Sequence, residues 1–198
     1  MKCIAVLTIT TIAVLHAARA EAQDTKPAGI AATCESCHGS KGDSTVTSTP
    51  RLNGQQAAYL TQRLHDFRDP TRQEPRAIES MWTVMKNVDD ASIPLLAAYF
   101  ASQAPTQAQN HGALAAKGRK IYAEGAPAQK VPSCQSCHGA HGDGNGAIPR
   151  LAGQHAHYLT LQLESLRLSM RESDIMHPNT NEMTDDQINA LVAYLAGN

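Results

Sequence analysis

The sequence predicts an all-α chain made of two tandem copies of one helical unit, and three observations carry that expectation. The first is an internal repeat. Cys34 matches Cys134, and Pro50-Arg51-Leu52-Asn53-Gly54-Gln55 matches Pro149-Arg150-Leu151-Ala152-Gly153-Gln154. Tyr59-Leu60-Thr61 then matches Tyr158-Leu159-Thr160, and Ala97-Ala98-Tyr99-Phe100 matches Val192-Ala193-Tyr194-Leu195. The offset shrinks from 100 to 95 along the chain, as a few loop deletions in the second copy would produce. The second observation is apolar spacing of helical period in both copies. The third is that no stretch alternates apolar and polar residues as a half-buried strand would.

The elements follow in order. A leader occupies residues 1–20: Lys2 opens it, Cys3 to Ala18 is largely apolar, and Ala18-Arg19-Ala20 is an A-x-A cleavage site, with Ala20-Glu21-Ala22 as a second choice. A retained anchor is the competing reading, and Arg19 with the small residues after it favours cleavage. The first unit then spans 21–104, a linker 105–112, and the second unit 113–198. Pro27 to Thr33 leaves room for a short helix. Gln55 to Phe67 carries Ala58, Leu60, Leu64 and Phe67 on one side of a helix, and Gln154 to Leu168 is its counterpart. The terminal helix of the first copy opens after Asp89-Asp90, with Pro94 in its first turn, where a missing N–H is harmless. That of the second copy opens at Thr184, with Gln187 completing a capping box. Ala113 to Glu124 is a further helix, and Ser102 to Gly112, rich in Gln, Ala, Pro and Asn, reads as the linker.

Composition narrows the function classes. Cleavage after Ala20 would take the 17 basic residues to 15 against 18 acidic ones, a net charge near −3 that argues against a nucleic-acid partner. Asp24 to Ala104 carries 8 basic and 9 acidic residues, and Pro105 to Asn198 carries 7 and 8, so no sign asymmetry separates the halves. Only 4% of the chain is aromatic, and each unit has fewer than a hundred residues. Units so small have lean cores unless a large apolar group fills them.

The sequence names such a group. Cys34-Glu35-Ser36-Cys37-His38 and Cys134-Gln135-Ser136-Cys137-His138 are two C-x-x-C-H motifs, the attachment signature of c-type haem. Two thiols bond the two vinyl groups, and the adjacent imidazole reaches the iron from the same turn. A zinc ribbon would set its cysteine pairs about 15–20 residues apart, whereas 97 positions separate Cys37 from Cys134. A redox dithiol needs a βαβ context that is not visible, and neither it nor a disulfide pairing explains the two histidines. Two covalently bound haem c groups are therefore expected, on Cys34, Cys37, Cys134 and Cys137, with His38 and His138 on the irons. Haem attachment to thiols takes place outside the inner membrane, so leader and motifs together predict a periplasmic protein.

The sixth iron position decides the chemistry. Met81 and Met85 are candidates in the first copy, and Met170, Met176 and Met183 in the second. Ile93 and Ile188 hold equivalent places in the terminal helices, and counting back twelve residues from each lands on Met81 and Met176. These are the expected ligands, and the other three methionines read as core filler. His177 competes on chemistry alone, but the first copy has Trp82 at its place. The remaining histidines, His65, His111, His141, His155 and His157, are expected at the surface or as satisfied polar groups. Each haem histidine needs an acceptor for its other N–H, and the carbonyls of Pro50 and Pro149 are the expected ones. Arg51 and Arg150 could then pair with haem propionates, with Tyr59 and Tyr158 reaching the same groups or serving in packing.

With both C-x-x-C-H-G motifs, both Pro-Arg-Leu-x-Gly-Gln-x-x-x-Tyr segments, Met81, Met176 and the two terminal helices, the chain resembles the dihaem cytochrome c4 family over its mature length. It departs from the family at Val88-Asp89-Asp90-Ala91-Ser92, which lacks the usual Leu-Ser-Asp opening. The resemblance implies two class I cytochrome c domains related by a pseudo-twofold axis. It also implies periplasmic electron transfer in a respiratory chain, often toward a terminal oxidase. The expected partners are redox proteins, such as a quinol-oxidising membrane complex or a terminal oxidase, met by a monomer that is compatible with peripheral membrane association. Two other classes compete. One is a peroxidase-like dihaem enzyme with one open iron, against which the matched methionines count. The other is a cytochrome subunit or sensor module of a larger complex.

Overall fold

The computed structural model describes residues 29–69, 74, 75, 77–109 and 111–197. The expected leader at 1–20 lies outside the described residues. Among them, no helix is long and apolar enough to cross a membrane.

The N-terminal half opens with helix α1 (Ile30–His38), which carries the first motif on its last turns and stops at Gly39, φ +78°. A side chain there would also meet the Asp43 backbone, with a Cβ only 2.7 Å from the carbonyl carbon, so only glycine lets the chain turn away immediately behind the histidine. Helix α2 (Ala57–Arg68) follows. It begins two residues later than the periodicity predicts because Gln56 is extended (φ −61°, ψ 125°), leaving the side chain of Gln55 to bond elsewhere. A single π-helical turn, Ala77–Met81, runs into α3 (Trp82–Met85). Helix α4 (Ser92–Ala101) starts where the Asp89 carboxylate accepts the Ser92 N–H at 2.7 Å, replacing the missing Leu-Ser-Asp opening. Its Ile93, Leu96, Ala97 and Phe100 bury against Leu60, Met85 and Val88 to form one core.

The C-terminal half repeats the plan. Helix α5 (Gly112–Glu124) crosses the terminal helix, and α6 (Gln135–His138) carries the second motif. Helix α7 (Ala156–Arg167) corresponds to α2, and α8 (Met176–Thr180) to the turn before α4. Helix α9 (Asp185–Leu195) closes the chain. Its N-terminus is a full capping box, with the Thr184 hydroxyl accepting from Gln187 N–H and the Gln187 amide oxygen accepting from Thr184 N–H. Ile121, Tyr122, Leu159, Met183, Ile188 and Leu191 are among the residues of a second, separate core.

The all-α fold class holds, with one short strand pair added among the described residues. Gln154–His155 (β1) pairs in parallel with Ala196–Gly197 (β2). Two residues on each side are too few for an alternation to show in sequence. They form because the C-terminal end lies between β1 and the linker, where Gln109 N–H donates to the Ala196 carbonyl at 2.8 Å.

The halves are joined by polar contacts arranged about the repeat. The Gln154 side chain accepts from Arg51 N–H at 2.9 Å and donates to the Arg51 carbonyl at 3.0 Å. The Gln55 side chain accepts from Arg150 N–H at 2.7 Å and donates to the Arg150 carbonyl at 2.9 Å. Beside them, Gln56 donates to the Asp143 carbonyl and His155 Nε2 to the Ser44 carbonyl, each at 2.8 Å. All of these glutamines and His155 lie next to the Gly-Gln steps of the repeat, so duplicated residues make the joint that holds the copies together.

Candidate haem sites

Each site is built on one helical turn. In α1, Cys34 packs against the N-terminal core while Cys37 is exposed, and Cys134 and Cys137 divide the same way in the other half. None of the four is paired in a disulfide. Before haem is attached, burial pushes the Cys34 and Cys134 thiols up to about 11. Ser36 and Ser136 hydroxyls each donate to the carbonyl three residues back at 2.7 Å, tightening the turn between the thiols.

The histidines are buried, at 8% and 6% exposure. His38 Nδ1 lies 2.8 Å from the Pro50 carbonyl oxygen, and His138 Nδ1 lies 3.0 Å from that of Pro149. A carbonyl only accepts, so Nδ1 carries the proton and the Nε2 lone pair is left for a metal. Burial lowers both imidazole pKa values, against the opposing pull of the carbonyls, which keeps each ring in the neutral, ligating form. Among the described residues no cluster of three or more His, Cys, Asp or Glu could hold a metal ion. The two cysteine pairs belong to separate cores, and so do not assemble into one zinc site. Two free thiols three residues apart, beside a buried imidazole with one nitrogen already bonded, fit a covalently attached haem in each half.

The methionines differ in placement. Met85 is fully buried and Met183 nearly so, both inside the cores, whereas Met170 is exposed. Met81 is partly buried against the N-terminal core, at the junction of the π turn with α3. Met176 is partly buried at the start of α8, its N–H bonded to the Ser173 hydroxyl at 3.0 Å. His177 Nδ1 is bonded to the Leu166 carbonyl at 2.8 Å.

The arginines and tyrosines have partners that sequence did not indicate. Arg51 is 9% exposed; its Nε donates to Asp43 at 3.1 Å, and its Nη1 to the carbonyls of Gly153 at 2.8 Å and Gly197 at 3.3 Å. Arg150 donates to Asp143 at 2.5 Å and to the Ala152 carbonyl at 3.0 Å. The Tyr59 hydroxyl accepts from Arg171 of the other half at 3.2 Å, and the Arg63 guanidinium lies over its ring. Tyr158 is partly buried on α7. Gln55, Gln154 and His155 received no role from the sequence. The only signal was the recurrence of Gly-Gln at 54–55 and 153–154.

Comparison with known proteins agrees with this geometry. The family model for cytochrome c matches residues 115–198. The chain is 32% identical to cytochrome c4 of Azotobacter vinelandii over 200 residues, covering 96% of this chain and 95% of that one. The solved structure of Acidithiobacillus ferrooxidans cytochrome c4 superposes with a TM-score of 0.79 at 34% identity, covering 84% of this chain and 98% of that one. A protein of Thiomonas intermedia named thiosulfate dehydrogenase electron acceptor is 32% identical, covering 84% of this chain and 78% of that one. The chain thus belongs to the cytochrome c4 family: two tandem class I cytochrome c units, each carrying a covalently attached haem c, forming an electron-transfer protein that works with redox partners.

Proposed function

We propose that this dihaem cytochrome shuttles electrons in the periplasm, with Met81 and Met176 as sixth ligands opposite His38 and His138, and passes them toward a terminal oxidase. The observation that carries the reading is the same in both halves. A buried imidazole has only Nε2 to offer a metal, and a methionine stands at the matched place in the second copy.

When bound, haem supplies an iron that exchanges one electron between ferric and ferrous states. The chain's residues keep that exchange simple. Paired thiols fix the group covalently, and the Pro50 and Pro149 carbonyls lock the imidazole tautomer and orientation. Met81 and Met176 thioethers on the irons would favour the ferrous state and would leave no position for a substrate. The periplasmic assignment rests on the leader pattern of residues 1–20. A second reading of the donor follows from the Thiomonas relative: a thiosulfate-oxidising enzyme could supply the electrons.

The test is the reduced optical spectrum with and without carbon monoxide, together with Met81→Ala and Met176→Ala. An unchanged spectrum in the parent protein, and a fall in the reduction potential of one haem in each variant, is the expected result. A carbon monoxide shift in the parent would instead place an open iron in one half and favour an enzyme. A variant that kept both potentials would remove that methionine from the ligand set.

A further inference from the structure

The peptide unit joining Pro50 to Arg51 makes two bonds that belong to different halves. Its carbonyl accepts from His38 Nδ1 at 2.8 Å, and its N–H donates to Gln154 Oε1 of the C-terminal half at 2.9 Å. The peptide unit joining Pro149 to Arg150 repeats this. Its carbonyl accepts from His138 Nδ1 at 3.0 Å, and its N–H donates to Gln55 Oε1 of the N-terminal half at 2.7 Å. Each haem histidine is therefore one peptide group away from a glutamine of the other half.

Both glutamines are buried, at 7% and 8% exposure, and both are held firmly. The same Oε1 also accepts the N–H of the next residue, Gln56 at 2.9 Å and His155 at 3.0 Å. The amide nitrogen is committed to the Arg150 or Arg51 carbonyl, so the amide orientation is fixed by its partners on both sides.

A peptide group is a conjugated unit. An acceptor on its N–H raises the negative charge on its carbonyl oxygen, and hydrogen bonds in series polarise one another in a dry interior. A more negative Pro50 oxygen pulls harder on the His38 Nδ1 proton. The imidazole becomes more basic at Nε2, and a more basic ligand favours the ferric iron.

We propose that Gln154 and Gln55 are positioning residues that set the electron affinity of the haem held by the opposite half. Gln154 acts on the haem at Cys34 and Cys37, and Gln55 on the haem at Cys134 and Cys137. The joint between the halves thus tunes the two redox centres crosswise, and any movement of one half against the other is felt at both histidines. The proposal rests on His38 and His138 being the iron ligands.

The test is a redox titration of the full holoprotein, followed haem by haem through the hyperfine-shifted methyl resonances, for Gln154→Leu and Gln55→Leu. Gln154→Leu is expected to favour reduction of the N-terminal haem about threefold, roughly 28 mV at 59 mV per tenfold for one electron. The C-terminal haem should stay unchanged, and Gln55→Leu should give the mirror image. A loosened joint would move both haems together, so equal shifts overturn the proposal, as does a shift in the haem of the mutated residue's own half or no shift at all. Should a leucine variant fail to fold, Gln154→Glu keeps an acceptor oxygen facing the Arg51 N–H. It is expected to disfavour reduction of the N-terminal haem more than of the C-terminal one, and the reverse order overturns the coupling. Histidine ligation is read separately from the low-spin spectrum. A variant that is low-spin in both halves but unshifted refutes the crosswise coupling and leaves the ligation standing.

Discussion

Gly118 should tolerate no side chain, and the reason lies in one crossing. It sits in the middle of α5 where that helix meets α9, and both helices supply the core under the second haem motif. A Cβ at position 118 would lie 2.5 Å from the Ala190 carbonyl carbon and 3.0 Å from Tyr194 Cβ. Carbon atoms prefer separations of about 3.5–4.0 Å. Gly118→Ala therefore demands that α5 and α9 move apart by about 1 Å along their contact. The obstruction is backbone, so no rotamer change relieves it. Overpacking of this kind costs about 1–3 kcal/mol, and a rigid backbone neighbour puts the cost near the upper end, ~3 kcal/mol. Helix propensity favours alanine by at most about 1 kcal/mol at such a site, which leaves a net loss of ~2 kcal/mol. For a unit of this size, that corresponds to a fall in Tm of about 8–16 °C. Calorimetry of the holoprotein, with the visible spectrum followed in parallel, would measure it. The loss should appear in the C-terminal half, leaving the transition of the N-terminal half in place. A fall of less than ~4 °C would mean that the helices do not approach as closely as the glycine implies.

Two further outcomes follow from the joint and the motifs. His155 is buried at the interface, and burial, with the Arg51 guanidinium second, lowers its pKa against the opposing Ser44 carbonyl and Asp43. A histidine held neutral in the folded state stabilises it above its unfolded pKa, about 6.5, and that contribution is lost as pH falls below it toward the folded value. Stability measured from pH 8 to 5 should therefore decline more steeply below about pH 6.5 in the parent than in His155→Gln; parallel curves would discharge His155 from that role. Glu35 lies inside the first motif, its carboxylate accepting from the Tyr99 hydroxyl at 2.6 Å and from Lys41 N–H at 3.0 Å, whereas the second motif has neutral Gln135. Glu35→Gln should favour reduction of the N-terminal haem by about 0.2–1 kcal/mol, the range of a partly exposed charge pair, and leave the other unmoved; an unshifted titration would refute it.

Much of the site was legible because covalent chemistry leaves little freedom. A haem bonded through two thiols needs them three residues apart with the histidine adjacent, so Cys34, Cys37 and His38 and their counterparts stand out in sequence. The capping box at Thr184 and Gln187 was equally plain, because its two bonds join residues three apart. What escaped was non-local. Gln55 and Gln154 bond to backbone about a hundred residues away, and their amide side chains look like any polar residue at a helix start. The π turn at Ala77–Met81, beside the buried Ala77 and Met85, has no local period to report it. Arg51 reads alone as a ligand for a carboxylate. The structure shows its guanidinium spread over Asp43, Gly153 and Gly197, because the C-terminal residues lie alongside β1 next to it.

A duplicated chain could have given two equivalent redox centres, but the residues that differ between copies lie where equivalence would matter. Gln56 and His155 occupy the same place in the joint, yet only His155 can gain a charge. Glu35 puts a carboxylate in one motif and Gln135 an amide in the other. Met81 ends a π turn, whereas Met176 opens a short α-helix. The symmetric parts, the Pro-Arg-Leu carbonyls and the paired glutamines, hold both histidines the same way and so supply a common ligand geometry. The asymmetric parts alter charge around that geometry without rebuilding it. Two irons held alike in unequal fields would differ in potential, and an electron entering one half would then have a preferred direction to the other. Repetition of the fold thus supplies two centres, and a few unrepeated side chains make their surroundings unequal.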